Sequence, residues 1–361
     1  MTKNKILVIQ KKRIGDVLTS TILLEALREK FPEYELHYLI YENSVAVVEN
    51  NPFVDKIIIM NEKDRKSKLG FLKFLFQIRK ENYEIVVDAY GKPNSVILGW
   101  FSGATKTITF DKIYSKLLYT HPIKRNQTSF SNATKAIEHR MRLLSPLGID
   151  FKVIKPKIFI TENEISTAKS KLEKAGITLS KPLVMISAIG SNDSKTYPIA
   201  YMAKVIDTIA DENDIQILFN YFPFQKEEAR QLYLLCTPET QAKINFDFYE
   251  DNLRDFLAIT SLCKALIGNE GGATNMAKAL NIPTFTIFSP LVIKNDWNMF
   301  EDGKQNISVH VKDFESKLPS TAIDDLIKAK EYKKLQSVFT PELFEDQLIN
   351  FITLNDIKGC K

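Results

Sequence analysis

The chain has 361 residues, 49 Lys+Arg against 44 Asp+Glu for a net charge of +5, an apolar share of 44% and a charged share of 26%. That length exceeds what one hydrophobic core supports, so two domains are expected, and the composition excludes a disordered, collagenous or disulfide-stapled chain. Charge is uneven: residues 1–180 carry 30 Lys+Arg against 19 Asp+Glu, and residues 181–361 carry 19 against 25, so the first half suits phosphate- or carboxylate-bearing partners, a membrane surface or nucleic acid, or else is an ordinary lysine-rich surface.

In MTKNKILVIQKKR the uncharged run from Ile6 to Gln10 is too short for a secretory signal core. Nowhere do about 18 apolar residues run together, so the expectation is a cytoplasmic chain whose membrane contact, if any, is peripheral on the inner face of the cytoplasmic membrane. Cys236, Cys263 and Cys360 lie far apart without metal-ligand spacing, which fits a reducing compartment.

Short apolar runs alternate with helical periodicity from the start: KILVIQ, a helix from about Asp16 to Lys30, ELHYLIY, a helix near Ser44 to Asn50, KIIIM, a helix from about Lys68 to Lys80, and EIVVDAY. The rhythm restarts with PLVMISAIGS, a helix from about Ile199 to Asp211, IQILFNY, a helix from about Lys226 to Leu235, KINFDF, a helix over Leu253 to Ser261, ALIG, a helix over Ala273 to Leu280, and PTFTIFS. Repeated β-α-β units of this kind predict two parallel, doubly wound α/β sheets. The polar helix of ENEISTAKSKLEKAGITLSKP, ending at Gly176 and Pro182, reads as the connector. The expected domains are 1–178, 179–325 and a helical tail, 326–361, packing back on the first.

The first turn carries chemistry. KILVIQKKRIGDVL runs from a buried-type strand through Lys12, Arg13 and Gly15 to Asp16 and a helix, and ligands of open α/β sheets bind at such carboxyl ends. One glycine is not the three-glycine dinucleotide fingerprint. Asp16 is either a helix cap accepting backbone amides or a general base for an attacking hydroxyl; nothing local decides.

Lys63 to Lys80, KDRKSKLGFLKFLFQIRK, combines Phe71, Leu72, Phe74, Leu75 and Ile78 with a ring of Lys and Arg. It is either a sheet-covering helix or a basic amphipathic helix that docks on the inner leaflet or an anionic lipid-linked acceptor. No recognisable nucleic-acid module accompanies it, so nucleic acid is not an expected partner.

In the second half, Gly190, Ser191, Asn192, Asp193 and Ser194 lead to Lys195, either a polar turn or a phosphate loop whose small residues admit backbone amides and whose lysine supplies a point charge. ALIGNEGGATNMAKAL ends a strand at Gly268, turns through Asn269, Glu270, Gly271 and Gly272, and starts a helix at Ala273. Its free amides and dipole favour a phosphate, and Glu270 is suited to ribose or sugar hydroxyls. The histidines, His37, His121, His139 and His310, offer no metal spacing.

These segments resemble glycosyltransferase family 9, the ADP-heptose:lipopolysaccharide heptosyltransferases, over nearly the whole chain. RIGDVLTSTILLEALREKFP and NPFVDKIII match its opening, Lys195, Tyr197 and Pro198 its central pattern, and NEGGATNMAKALNIPTFTIFSP its late one. Departures are Glu270 for the usual Asp, Gly271 for Thr, Asn275 for His, and Ile22 where a proline usually stands. The resemblance implies a GT-B fold, two Rossmann-like doubly wound domains facing a central cleft, with an anionic glycolipid acceptor on the first and a nucleotide-sugar donor, ADP-heptose, on the second. It implies inverting, metal-independent transfer for lipopolysaccharide core biosynthesis, without a cofactor. Asp16 is then the base beside the first-loop residues Lys12, Arg13 and Gly15. Lys195 binds the donor diphosphate; Gly190, Ser191, Glu227, Asn269, Glu270, Gly271, Gly272 and Asn275 complete the donor site. The alternatives are another GT-B enzyme using a UDP-sugar, a sugar-nucleotide epimerase, or a sugar-nucleotide-binding protein without catalysis.

Overall fold

Strands that are apolar on both faces can be satisfied only between two layers of helices, and both sheets of this chain are built that way. The computed structural model describes residues 3–125, 131, 133–211 and 213–358; Cys360 lies outside them. The chain divides at 159/160 into two compact units.

The first unit runs β1 (Lys5–Ile9), α1 (Ile14–Lys30), β2 (Glu35–Tyr41), β3 (Lys56–Met60), α2 (Glu62–Lys66), α3 (Lys68–Lys80), β4 (Ile85–Asp88), α4 (Pro93–Phe101), β5 (Lys106–Phe110), α5 (Ile113–Leu118), β6 (His121–Ile123) and α6 (Thr134–Arg142). Its strands are parallel in the order β3-β2-β1-β4-β5-β6. The chain steps one way from β1 to β3 and the other way from β3 to β6. Right-handed crossovers then place α3, α4 and α5 on one face and α1 on the other, as the packing of α3 on α4, α4 on α5 and α1 on α6 shows. Leu7, Ile9, Leu39 and Val86 of the sheet are buried with Phe74, Leu75, Ile78 and Leu98 of α3 and α4.

The second unit runs α7 (Glu162–Lys174), β7 (Leu183–Ser187), α8 (Ile199–Ala210), β8 (Gln216–Asn220), α9 (Lys226–Leu235), α10 (Pro238–Gln241), α11 (Leu253–Thr260), β9 (Ala265–Asn269), α12 (Gly272–Ala279), β10 (Thr284–Ile287), α13 (Lys294–Trp297), β11 (Asn306–Val309), α14 (Ile323–Lys328), α15 (Tyr332–Val338) and α16 (Glu345–Leu354). Its sheet is also parallel, ordered β11-β10-β9-β7-β8.

Three expectations are corrected. The connector helix α7 belongs to the second unit, so the boundary is 159/160 and not 178/179. A capping box starts this helix, Glu164 Oε2 accepting from Thr161 N at 2.8 Å, and the same oxygen accepts from Arg254 Nη2 of α11 at 2.8 Å. The tail 326–361 is part of the second unit's core: Phe339, Phe344 and Phe351 are fully buried, Phe285 of β10 meets Phe344 and Phe351 at 6.0 and 5.7 Å, and Tyr197 Oη donates to Phe339 O at 2.6 Å. KINFDF is no strand; it contributes one bridge, Ile217 to Ile244.

Candidate functional site

In each sheet the strand order reverses once, at β1/β4 in the first unit and at β7/β9 in the second, and the crevice outside the carboxyl ends at such a reversal is where α/β sheets hold ligands. The turns singled out from sequence, after β1, β7 and β9, all lie at these two places.

In the first unit Ile9 of β1 lies opposite Asp88 of β4. The turn leaving β1 is strained: Arg13, at the N-cap position of α1, has φ 66° and ψ 120° and makes no side-chain cap, a conformation costing about 1–3 kcal/mol for a residue with a Cβ. Asp16 lies inside the first turn and not at the N-cap position, and no side-chain cap forms there, so the capping role does not hold. Its Oδ1 instead accepts from Arg140 Nη2 of α6 at 2.8 Å. Arg140 is itself fixed, Nε donating to Ser20 Oγ and Nη1 to Ala136 O, both at 2.8 Å. Tyr38 Oη, fully buried, donates to Val17 O at 2.7 Å and holds the same turn of helix. Lys12 and Arg13 are exposed and Gly15 is half-buried, its carbonyl accepting from Thr19 Oγ1 at 2.7 Å.

Sequence reasoning passed over Lys11 and Asp88, both wholly buried at this edge. Lys11 Nζ lies 4.0 Å from Met60 Sδ and 5.8 Å from the Tyr90 ring centre, and burial pulls its amine down to about 8 against the attraction of Asp88. Burial pushes the Asp88 carboxyl up to about 6, although Oδ1 accepts from the amides of Tyr90 and Gly91 at 3.0 and 2.9 Å. No motif marks this pair, because nothing in a single sequence shows that β1 and β4 are neighbours.

In the second unit Asn269, ending β9, ties the reversal together. Its Oδ1 accepts from Tyr197 N at 2.7 Å, and its Nδ2 donates to Ser187 O and Ala188 O at 3.0 and 2.8 Å. The amide is spent on backbone, so Asn269 positions the two loops, a correction to its expected donor contact. Gly268 has φ 126° and a Cβ there would stand 2.6 Å from Ser187 O; at Gly190 a Cβ would stand 2.3 Å from Lys195 O. These two glycines let the loops close on each other. Gly271 and Gly272 differ: a Cβ on Gly271 would meet nothing within 4 Å, and one on Gly272 only Met276 Cε at 3.8 Å. The start of α12 is therefore open space lined by uncapped amides, the setting in which helix amides and dipole hold an anion.

Lys195 Nζ reaches Glu270 Oε1 at 2.7 Å, joining the β7 loop to the β9 turn. Ser191 is exposed and Asn275 half-buried on the first turn of α12. Glu227 is exposed at the start of α9; the neighbouring Glu228 is half-buried, and burial together with the charge of Asp193 raises its carboxyl above the ordinary range. Gln225 Nε2 donates to Gly190 O at 2.7 Å and pins the adjacent turn. Among the described residues no three His, Cys, Asp or Glu side chains gather to hold a metal ion. His310 is engaged locally, Nδ1 accepting from Lys312 N and Nε2 meeting Pro290 O, both at 3.2 Å.

The profile of glycosyltransferase family 9 (heptosyltransferase) matches residues 71–312. Lipopolysaccharide heptosyltransferase 1 of Campylobacter coli is 24% identical over 290 residues, 79% of this chain and 83% of its own length. The crystal structure of a family 9 glycosyl transferase from Veillonella parvula superposes with TM-score 0.80 at 21% identity, covering 98% of both chains. That of the E. coli ADP-heptose lps heptosyltransferase II superposes with TM-score 0.70 at 15% identity, covering 98% of this chain and 99% of that one. At these identities the two structures bear on the fold, two parallel-sheet Rossmann-like domains of GT-B type.

Proposed function

The chain belongs to glycosyltransferase family 9, and we propose that it transfers heptose from ADP-heptose to an anionic glycolipid, the inner core of lipopolysaccharide, inverting the anomeric carbon. The observation that carries this reading is the pairing of roles at the two sheet reversals: a carboxylate steadied by an arginine at one, and an open helix start beside a lysine at the other.

In the proposed reaction the acceptor hydroxyl oxygen attacks the anomeric carbon, the bond from that carbon to the diphosphate oxygen breaks, and ADP departs with the bonding electrons. The hydroxyl proton passes to Asp16. Arg140 engages Oδ1, which leaves Oδ2 as the proton acceptor and fixes the plane of the carboxylate. Lys195 and the amides at Gly271 and Gly272 receive the negative charge growing on the diphosphate, each well-placed donor supplying about 3 kcal/mol by analogy with other anion holes. Lys195 must exchange Glu270 for phosphate in doing so, and this frees Glu270 to accept hydrogen bonds from the hydroxyls of ribose or heptose. No metal or cofactor enters the scheme. The lipid-bound acceptor places the enzyme on the inner face of the cytoplasmic membrane, with Lys63 to Lys80 as contact; no helix of the described residues is long and apolar enough to cross a membrane.

Thermal-shift titration with ADP, UDP and GDP, followed by turnover of the matching sugar nucleotide with and without chelator, tests the proposal. Stabilisation by ADP and chelator-resistant turnover of ADP-heptose are expected. Preference for UDP would overturn the donor assignment, and loss of turnover in chelator would overturn metal independence.

A further inference from the structure

Helix α3 covers the sheet with one face and carries large apolar side chains on the other as well. Phe74, Leu75 and Ile78 are buried against the sheet, whereas Leu69, Leu72 and Phe76 point to solvent. The outward row does not end there. Phe76 meets Phe101 of α4 edge-on at 5.2 Å between ring centres, and α4 exposes Ile97 and Trp100 on the same side. Beyond α4, α5 exposes Ile113 at 87% and Leu117 at 85%, one helical turn apart. All three helices lie on one face of the first sheet by the direction of their crossovers. Single exposed apolar residues are ordinary, but a row of large ones across three adjacent helices is not.

The charges beside this row are mostly positive. Lys68, Lys73 and Lys80 of α3 are exposed without an ion-pair partner among the described residues, and on the helical projection Lys73 and Lys80 fall on the same stripe as Leu69 and Phe76. From residue 62 to residue 116 there are 11 Lys+Arg against 6 Asp+Glu, and of the acids Glu62, Glu81 and Asp111 are paired with Lys66, Lys5 and Lys116. An apolar row edged with free cations is complementary to an anionic bilayer, whose headgroups take the ammonium groups and whose acyl boundary takes the apolar side chains.

We propose that the outward face of α3, α4 and α5 together, rather than the segment Lys63 to Lys80 alone, is a docking surface for an anionic lipid bilayer. The proposal rests on the reading that the acceptor is membrane-borne, but its test does not depend on transfer chemistry. The full chain is co-sedimented with vesicles of phosphatidylethanolamine and phosphatidylglycerol, and with phosphatidylcholine vesicles alone, at low and high ionic strength. Two variants are compared: Ile113→Ser with Leu117→Ser, which touches no core contact, and Lys68→Glu with Lys73→Glu. The wild type is expected to bind the anionic vesicles only, more weakly at high salt, and each double variant to lower partitioning at least tenfold, lysines near such a surface being worth about fivefold each. Unchanged melting temperature and ADP binding in both variants would show that folding and the donor site are intact. Wild type left in the supernatant, binding indifferent to Ile113→Ser with Leu117→Ser, or a solution dimer that this variant dissociates would overturn the proposal, the last by assigning the face to a second copy.

Discussion

Lys11 is held in the fold at a cost that a single substitution would release. Its amine falls from an ordinary 10.5 to about 8 because it is wholly buried, with Met60 Sδ 4.0 Å from Nζ. At about 1.4 kcal/mol per pH unit, charged Lys11 opposes folding by about 3 kcal/mol at neutral pH. Methionine has nearly the same length and no charge. Lys11→Met also removes the attraction felt by Asp88, whose carboxyl, already up at about 6, then rises further while still accepting from the amides of Tyr90 and Gly91. The expected net effect is a gain of about 1–3 kcal/mol at pH 7, roughly 2–12 °C in the midpoint of a unit of this size. The sign with pH is fixed by proton counts. Between about 8 and 10.5 the unfolded chain binds more protons than the folded one, so wild-type stability rises with pH there. The advantage of Lys11→Met is therefore complete below pH 8 and fades towards 10.5. Thermal and urea unfolding of both proteins from pH 6.5 to 10.5 measures this. A variant less stable than wild type at pH 7, with a difference that does not change with pH, would refute the reasoning.

Asn269→Ala strands the buried amide of Tyr197 and two backbone carbonyls and is expected to destabilise the second unit by about 2–3 kcal/mol in urea; a loss under about 0.5 kcal/mol would show that the clamp is dispensable. Gly268→Ala places a Cβ against Ser187 O in a backbone conformation with φ 126° and should cost more than about 2 kcal/mol while weakening ADP binding, as calorimetry would show. The Arg254 guanidinium, with the Thr161 amide and hydroxyl, holds the Glu164 carboxyl down at about 2. Stability from this group is present above its ordinary 4.5 and lost as pH falls from there towards 2, so the midpoint difference between wild type and Glu164→Gln should be largest at neutral pH and shrink in acid. A difference that grows in acid would contradict the assignment.

The parts of this architecture legible in the sequence are those written in local chemistry. Apolar runs closed by small or charged residues mark most strands, and the Gly-Asp turn, the Gly190 to Lys195 turn and the Asn-Glu-Gly-Gly turn mark the loops after β1, β7 and β9 at the sheet reversals. Residues whose role depends on distant chain were hidden. Arg140 stands 124 positions from the Asp16 it holds, and nothing around α6 distinguishes it from other surface arginines. Asn269 was placed at the right turn but given the wrong partner, because composition shows that an amide is present and not where it points. KINFDF alternates as a strand does, yet after Ile244 the chain leaves the sheet, so tertiary position overrode local preference. His121–Ile123, three residues with a central proline, carries too little pattern to be recognised, and the β5 run KTITF, although β-branched, lies outside the motifs that drew attention. A helix ending in Gly and Pro reads as a linker even though, through Glu164 and Lys171, it is bound to the rest of the second unit.

The central claim is that Asp16, steadied by Arg140, takes the acceptor proton while the second unit holds the nucleotide. Its most direct test is single-turnover transfer from ADP-heptose by wild type and Asp16→Asn, with ADP affinity measured on the same preparations. The account predicts that Asp16→Asn slows transfer by at least about a hundredfold with ADP affinity unchanged; transfer within a few-fold of wild type would contradict it.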